Sequence, residues 1–156
     1  MTTTIEMVQT DAERNAVAWL ESISSAQEAH GFCVEEGEGR ELSRAAKAVL
    51  RAQGYDGTNH AEVAELIEEE LQEAALSVEV RSGWREPGDG ASMDPEEFCI
   101  LLSTGGPALR IRGTLNRCEP DRCWMEHQDW GTPWTELVGA EQDTLLWFCG
   151  LFWFGE

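Results

Sequence analysis

The chain has 156 residues, enough for one ordinary domain with a core of its own, and it carries 30 Asp and Glu against 11 Lys and Arg, a formal net charge of −19. A field of that sign repels DNA, RNA and anionic lipid and attracts proteins with basic surfaces, so direct binding to nucleic acid or a membrane surface is not expected. No basic-then-apolar leader opens the sequence, no apolar run approaches the roughly 18 residues of a membrane span, and the five cysteines lack framework spacing. These features are expected of a protein of a reducing cytoplasm.

Thr10-Asp11-Ala12-Glu13 has the form of a capping box, and Ala12, Ala16, Trp19, Leu20 and Ile23 recur at helical spacing, which predicts a first helix over 11–30 that stops at Gly31. Glu35, Glu36 and Glu38 follow with Gly37 and Gly39 in a solvated acidic loop. A second helix is predicted over 42–52, with Ala45, Ala46, Val49 and Leu50 as its apolar stripe and Gly54 as its stop. Asn59 with Glu62 repeats the capping pattern, and Val63, Leu66, Ile67, Leu71 and Ala74 form the buried stripe of a third helix over 60–75.

The period then changes to alternation. Leu76, Val78 and Val80 point one way and Ser77, Glu79 and Arg81 the other, which predicts a first strand. Pro87-Gly88-Asp89-Gly90 marks a loop, 98–103 reads as a central strand, and Thr104-Gly105-Gly106-Pro107 turns into a third strand over 108–115. A polar turn over 116–121 precedes a fourth strand over 122–129, and Gly131-Thr132-Pro133-Trp134 breaks the ladder. Leu145, Phe148, Cys149 and Phe152 at i, i+3, i+4 and i+7 predict a closing helix over 141–152. The expected fold class is α+β: an acidic helical region of three helices over 1–75, then over 76–156 an antiparallel sheet of four strands with a C-terminal helix packed on it.

Catalytic and metal motifs are weak. Cys118 and Cys123, with His127 four residues on, invite a zinc reading, but their spacing is wider than the common pair, no fourth ligand is evident, and on a strand Cys123 and His127 stand about 13 Å apart. Cys99 and Cys149 lie in apolar stretches where a thiol is core filler, and no nucleophile elbow surrounds any cysteine. Glu126 and Asp129 are the best carboxylate pair for acid–base work, with solvated strand ends as the plainer reading. No metal or cofactor is expected, and no catalytic residue is assigned. Trp130 and Trp134 flank a Gly-Thr-Pro bend, where they either plug the edge of the core or anchor a binding site.

The sharpest candidate is the third helix, which carries Glu62, Glu65, Glu68, Glu69, Glu70 and Glu73 and no Lys or Arg. Like charges at i, i+4 each cost about 0.2–0.5 kcal/mol, and carboxylates spaced about 6 Å apart along a helix can imitate a row of phosphates.

The C-terminal half resembles a family of small acidic proteins carried on plasmids, integrative elements and prophages of proteobacteria, through SVEVRSGWREPG at 77–88, ILLSTGGP at 100–107, QDWGTPW at 128–134 and the closing FGE at 154–156. The resemblance covers about half the chain and brings no catalytic residues, since the family is largely uncharacterised. It implies a shared sheet scaffold with a variable, often acidic N-terminal helical arm. Such a genomic setting favours proteins that disarm host defence. The expected function is therefore an anti-CRISPR type of inhibitor that occupies a basic nucleic-acid-binding surface of a host effector. It would use Glu62 to Glu73 and Glu35, Glu36 and Glu38, with aromatic contacts from Trp130 and Trp134. The alternatives are a small-molecule or peptide binding module centred on Trp130 and Trp134, and an enzyme using a cysteine or carboxylate near His127.

Overall fold

The computed structural model describes residues 10–37, 41–88 and 93–155. Glu38 and Gly39 of the acidic loop and Asp89 and Gly90 of the later loop lie outside them. The elements follow in the order α1 (Asp11–Val34), α2 (Arg44–Ala52), α3 (His60–Ala74), β1 (Ser77–Arg81), β2 (Glu97–Ser103), β3 (Ala108–Asn116), β4 (Glu119–Gln128), β5 (Thr135–Glu136) and α4 (Gln142–Cys149). This is the α+β arrangement that the change of period implies, with helices first and an antiparallel sheet in the sequential order β1-β2-β3-β4-β5.

Helix α1 starts where the capping pattern places it. Thr10 Oγ1 accepts the Glu13 N–H at 3.1 Å, and Asp129 Oδ1, from the end of β4, accepts the Ala12 N–H at 3.0 Å, so one orphan donor is satisfied locally and another by the sheet. The helix does not stop at Gly31. It runs on to Val34 because Cys33 continues the buried stripe of Ala26 and Ala29, and the left-handed glycine that ends the turn is Gly37 (φ 77°), whose N–H donates to Phe32 O at 2.8 Å.

Ser43 caps α2, which begins two residues later than the expected 42, by accepting the Ala46 N–H at 3.1 Å. Glu28 of α1 in turn receives the Ser43 N–H at 2.9 Å and its hydroxyl at 2.6 Å. The capping role expected of Asn59 does not materialise. Its side chain accepts the Asp56 N–H at 2.9 Å and donates to Gly54 O at 3.1 Å, tying the turn before α3 instead of the helix end. Asp56 completes that turn by accepting from the Thr58 hydroxyl and from the Thr58 and Asn59 N–H groups, which hold its carboxyl below the ordinary carboxylate value.

In the sheet, Ile100 stands opposite Ile111 and Ile111 opposite Met125, so one face is a continuous apolar surface. Helices α1 and α4 cover it with Ala16 and Ile23 from the first and Leu145, Phe148 and Cys149 from the second. Each fully buried side chain of the Ile, Leu, Met and Phe type there stabilises the fold by about 1.5–3 kcal/mol. Gly113 lies within this face. A Cβ there would collide with the Arg122 carbonyl and come within 2.5 Å of the Phe98 ring, so the close approach of β4 and Phe98 requires the missing side chain. A second core gathers Ala26, Ala29 and Cys33 of α1 with Ala46 and Leu50 of α2 and Val63, Ala64 and Ile67 of α3. The passage at residue 75 is one of secondary structure, while α1 contributes its front half to one core and its back half to the other.

Three sheet details and the end of the last helix differ from the sequence expectation. Val78 and Val80 are 39 % and 47 % exposed, because β1 is the edge strand and the helices lie over β3 and β4. Strand β4 begins at Glu119, since Arg117 (φ 52°) and Cys118 (φ 64°) make a two-residue hairpin turn of the mirror type without the Asn-Gly signature that announces it. The ladder resumes after the Gly131 bend, with His127 opposite Thr135 and Glu126 opposite Glu136 in β5. Helix α4 ends at Cys149, and Phe152 reaches Phe148 (ring centroids 5.2 Å apart) from the following turn.

Candidate functional site

Helix α3 spends its apolar side on Val63, Ala64 and Ile67, which pack against α1 and α2, so its six glutamates are forced outward. Glu62, Glu65, Glu69, Glu70 and Glu73 are exposed, and Glu68 is half-buried with Oε1 3.1 Å from His30 Nε2. The Gln53 side-chain amide donates to Glu70. Among the described residues no lysine or arginine pairs with any of the six, and the short cationic helix α2 next to α3 in the chain does not neutralise them.

Glu36 of the predicted acidic loop comes next to two of the six. Placed in the left-handed conformation (φ 55°) by the turn that ends α1, it lines a groove of about 460 Å³ between the end of α1 and the start of α3, with His30, Cys33, His60, Glu65 and Glu68. Among the described residues the lining contains no lysine or arginine, so the groove offers carboxylates to an incoming cation without a competing basic side chain of either type. Glu35 is exposed in the same turn, with its N–H donating to Gly31 O at 3.0 Å. Glu38 lies outside the described residues.

The tryptophans stand elsewhere. Trp130 is 86 % exposed at the sheet end, its Cβ lying beside Gly106. Trp134 is half-buried on the sheet face turned away from the helices, where the Arg110 guanidinium lies 4.0 Å from its ring centroid and donates to Glu126 Oε1 at 2.7 Å. Arg112 extends the array, 5.9 Å from the Trp124 ring and 4.0 Å from Glu126. Neither tryptophan belongs to either buried core.

The carboxylates that looked fit for acid–base work are otherwise engaged, Glu126 by Arg110 and Asp129 by the N-terminus of α1. Burial pushes the Cys33 thiol up, does the same to Cys99, and holds Cys149 well above the ordinary thiol value. The hydrogen bond from Cys149, helped by Gln142, draws Cys123 down against its burial. That contact is closed off, since Cys123 and Cys149 are 5 % and 0 % exposed. Cys118 belongs to the hairpin turn, and among the described residues no three His, Cys, Asp or Glu are gathered as metal ligands.

One cluster escaped the sequence reading, which followed the apolar stripe of α2 and passed over its other residues. Arg44, Lys47 and Arg51 recur at i, i+3 and i+7, the helical spacing that places them on one side, in a helix that contains no acid.

Comparison with known proteins finds no matching family, no matching curated protein and no matching solved structure. No helix among the described residues is long and apolar enough to cross a membrane.

Proposed function

We propose that this protein is a mobile-element-encoded inhibitor of a host defence system, of the anti-CRISPR type, acting in the bacterial cytoplasm by docking its acidic helix surface on a basic nucleic-acid-binding subunit. The observation that carries this reading is the convergence of Glu36, Glu65 and Glu68 on one groove that, among the described residues, contains no lysine or arginine, flanked by the exposed carboxylates of Glu62, Glu69, Glu70 and Glu73. A lysine or arginine entering the groove would gain charge-assisted hydrogen bonds, while the helix row would lie along neighbouring cations. A molecule of net charge −19 would be steered to such a surface, and the encounter would weaken with salt. The resemblance of the C-terminal half to proteins of plasmids and prophages supports the setting.

The exposure of Trp130 favours a second reading, a small-molecule or peptide site at the sheet end, and one experiment separates the two. Tagged protein is used to capture partners from host lysate at about 0.05 M and about 0.5 M salt, a range over which screening falls from weak to strong. Wild type is expected to hold a basic nucleic-acid-binding protein at the lower salt only. The triple variant Glu65→Lys, Glu69→Lys, Glu73→Lys, shown to be folded by circular dichroism, should lose it, whereas Trp130→Ala should retain it. Retention by the lysine variant with loss in Trp130→Ala would replace the acidic-surface reading by the second one.

A further inference from the structure

We propose a second binding site, for a small organic anion with an apolar or aromatic body, in the open cavity between the end of α1, helix α2 and the turn that follows it. The cavity measures about 590 Å³, a size typical of small-molecule sites, and its lining divides into two chemistries. Arg44, Lys47 and Arg51 supply the charge. Phe32, Leu42, Leu50 and Tyr55 supply an apolar floor, and among the described residues no carboxylate lines the space.

Of the ten described lysines and arginines, half lack a carboxylate partner, Arg117 and Arg122 singly at the β3–β4 hairpin and the other three together on α2. Arg14, Arg81, Arg85, Arg110 and Arg112 each lie within ion-pair distance of a carboxylate, as a chain with 30 acids against 11 bases would lead one to expect. Arg44, Lys47 and Arg51 have no such partner among the described residues. Three like charges on one side of a nine-residue helix oppose one another, and an anion seated between them would relieve that repulsion.

The aromatic wall is fixed in place before any ligand arrives. The Phe32 and Tyr55 rings meet edge to face at 5.7 Å, and the Tyr55 hydroxyl is 2.9 Å from His60 Nε2. A Cβ on Gly37 would lie 3.1 Å from the Phe32 ring and 3.3 Å from His60 Nε2, so the chain after α1 presses these rings from behind. The doubly bonded Glu28 carboxylate anchors the start of α2 to α1, which sets the distance between cations and rings. An apolar wall held by its own contacts and facing exposed cations suits a planar hydrocarbon body bearing a carboxylate or phosphate better than it suits a bare ion.

The test titrates isotope-labelled full-length protein with 1-naphthyl phosphate, neutral 1-naphthol and inorganic phosphate, following backbone amides by nuclear magnetic resonance. The expected result is saturable movement of the amides of Phe32, Leu42, Lys47, Arg51 and Tyr55 with 1-naphthyl phosphate, and affinity at least about tenfold weaker for each of the other two probes. The triple variant Arg44→Gln, Lys47→Gln, Arg51→Gln, altered only at exposed side chains, should lose 1-naphthyl phosphate binding by a further factor of about ten or more, as should the single variant Lys47→Glu. The proposal is overturned by unmoved amides in this group, by equal affinity for 1-naphthol, by equal affinity for inorganic phosphate, or by unchanged binding in the variants. It is also overturned if sedimentation shows a concentration-dependent dimer that the triple variant abolishes, because the occupant would then be the acidic helix of a second copy.

Discussion

On β3, Ile111 and Gly113 face the helices while Arg110, Arg112 and Thr114 face away from them, and stability is obtained differently on the two sides. The covered face is held by density: Phe98, Ile100, Ile111 and Met125 are at most 2 % exposed, and space is so short that one strand position is glycine. The open face is held by pairing, since Arg110 serves Glu126 and Trp134 at once while Arg112 lies between Trp124 and Glu126. Half-buried charges and aromatic rings keep that face ordered without giving it a hydrophobic cover. Where volume is the constraint, adding an atom is harmful; where polar satisfaction is the constraint, the outcome depends on whether a partner is present.

Three substitutions sharpen this contrast, and denaturant unfolding reads all of them. The largest effect is expected from Gly113→Ala, whose methyl group meets backbone and a packed ring and should destabilise by about 2–3 kcal/mol. An unchanged midpoint would mean that the covered face has slack. Next, a double-mutant cycle of Arg110→Ala and Glu126→Ala should give a coupling of about 1 kcal/mol, between the values for exposed and buried pairs, because the side chains retain 22 % and 14 % of their exposure. A coupling near zero would reduce the open face to ordinary solvated charge. The smallest effect has the opposite sign. Thr114 Oγ1 is buried without a hydrogen-bond partner among the described residues, so Thr114→Val should stabilise by up to about 1 kcal/mol, one position along the chain from the most damaging change.

Much of this architecture was legible in the sequence because it rests on period. The helical recurrence of Ala16, Ile23, Val63 and Ile67 and the alternation from Leu109 to Ile111 are direct records of which side is buried, and both cores are built from them. What escaped was decided by contacts distant in the chain. Gly31 looks like a helix stop until Cys33 finds α2 and α3, and Asn59 looks like a cap until Asp56 and Gly54 offer it other bonds. Arg117 and Cys118 adopt positive φ with neither glycine nor asparagine to announce it, because the pairing of β3 with β4 imposes the tight turn. At the candidate site the glutamate row was visible from spacing alone. Glu36 was expected to contribute from the acidic loop, but its meeting with Glu65 and Glu68 was not legible, because it follows from a left-handed residue after α1, and the cations of α2 share a helix whose apolar stripe is the stronger signal.

The division of α1 between two cores also sets a timetable for synthesis. Its back half, with Ala26, Ala29 and Cys33, finds its partners as soon as α2 and α3 have left the ribosome. Its front half, with Ala16 and Ile23, packs with Met125 and Phe148, more than one hundred positions further on. At about 5–20 residues per second the apolar side of the first helix waits roughly 5–25 s for the surface that covers it. During that interval the nascent chain carries an apolar stripe whose cover is not yet made, which is the span in which a chaperone would have most to hold.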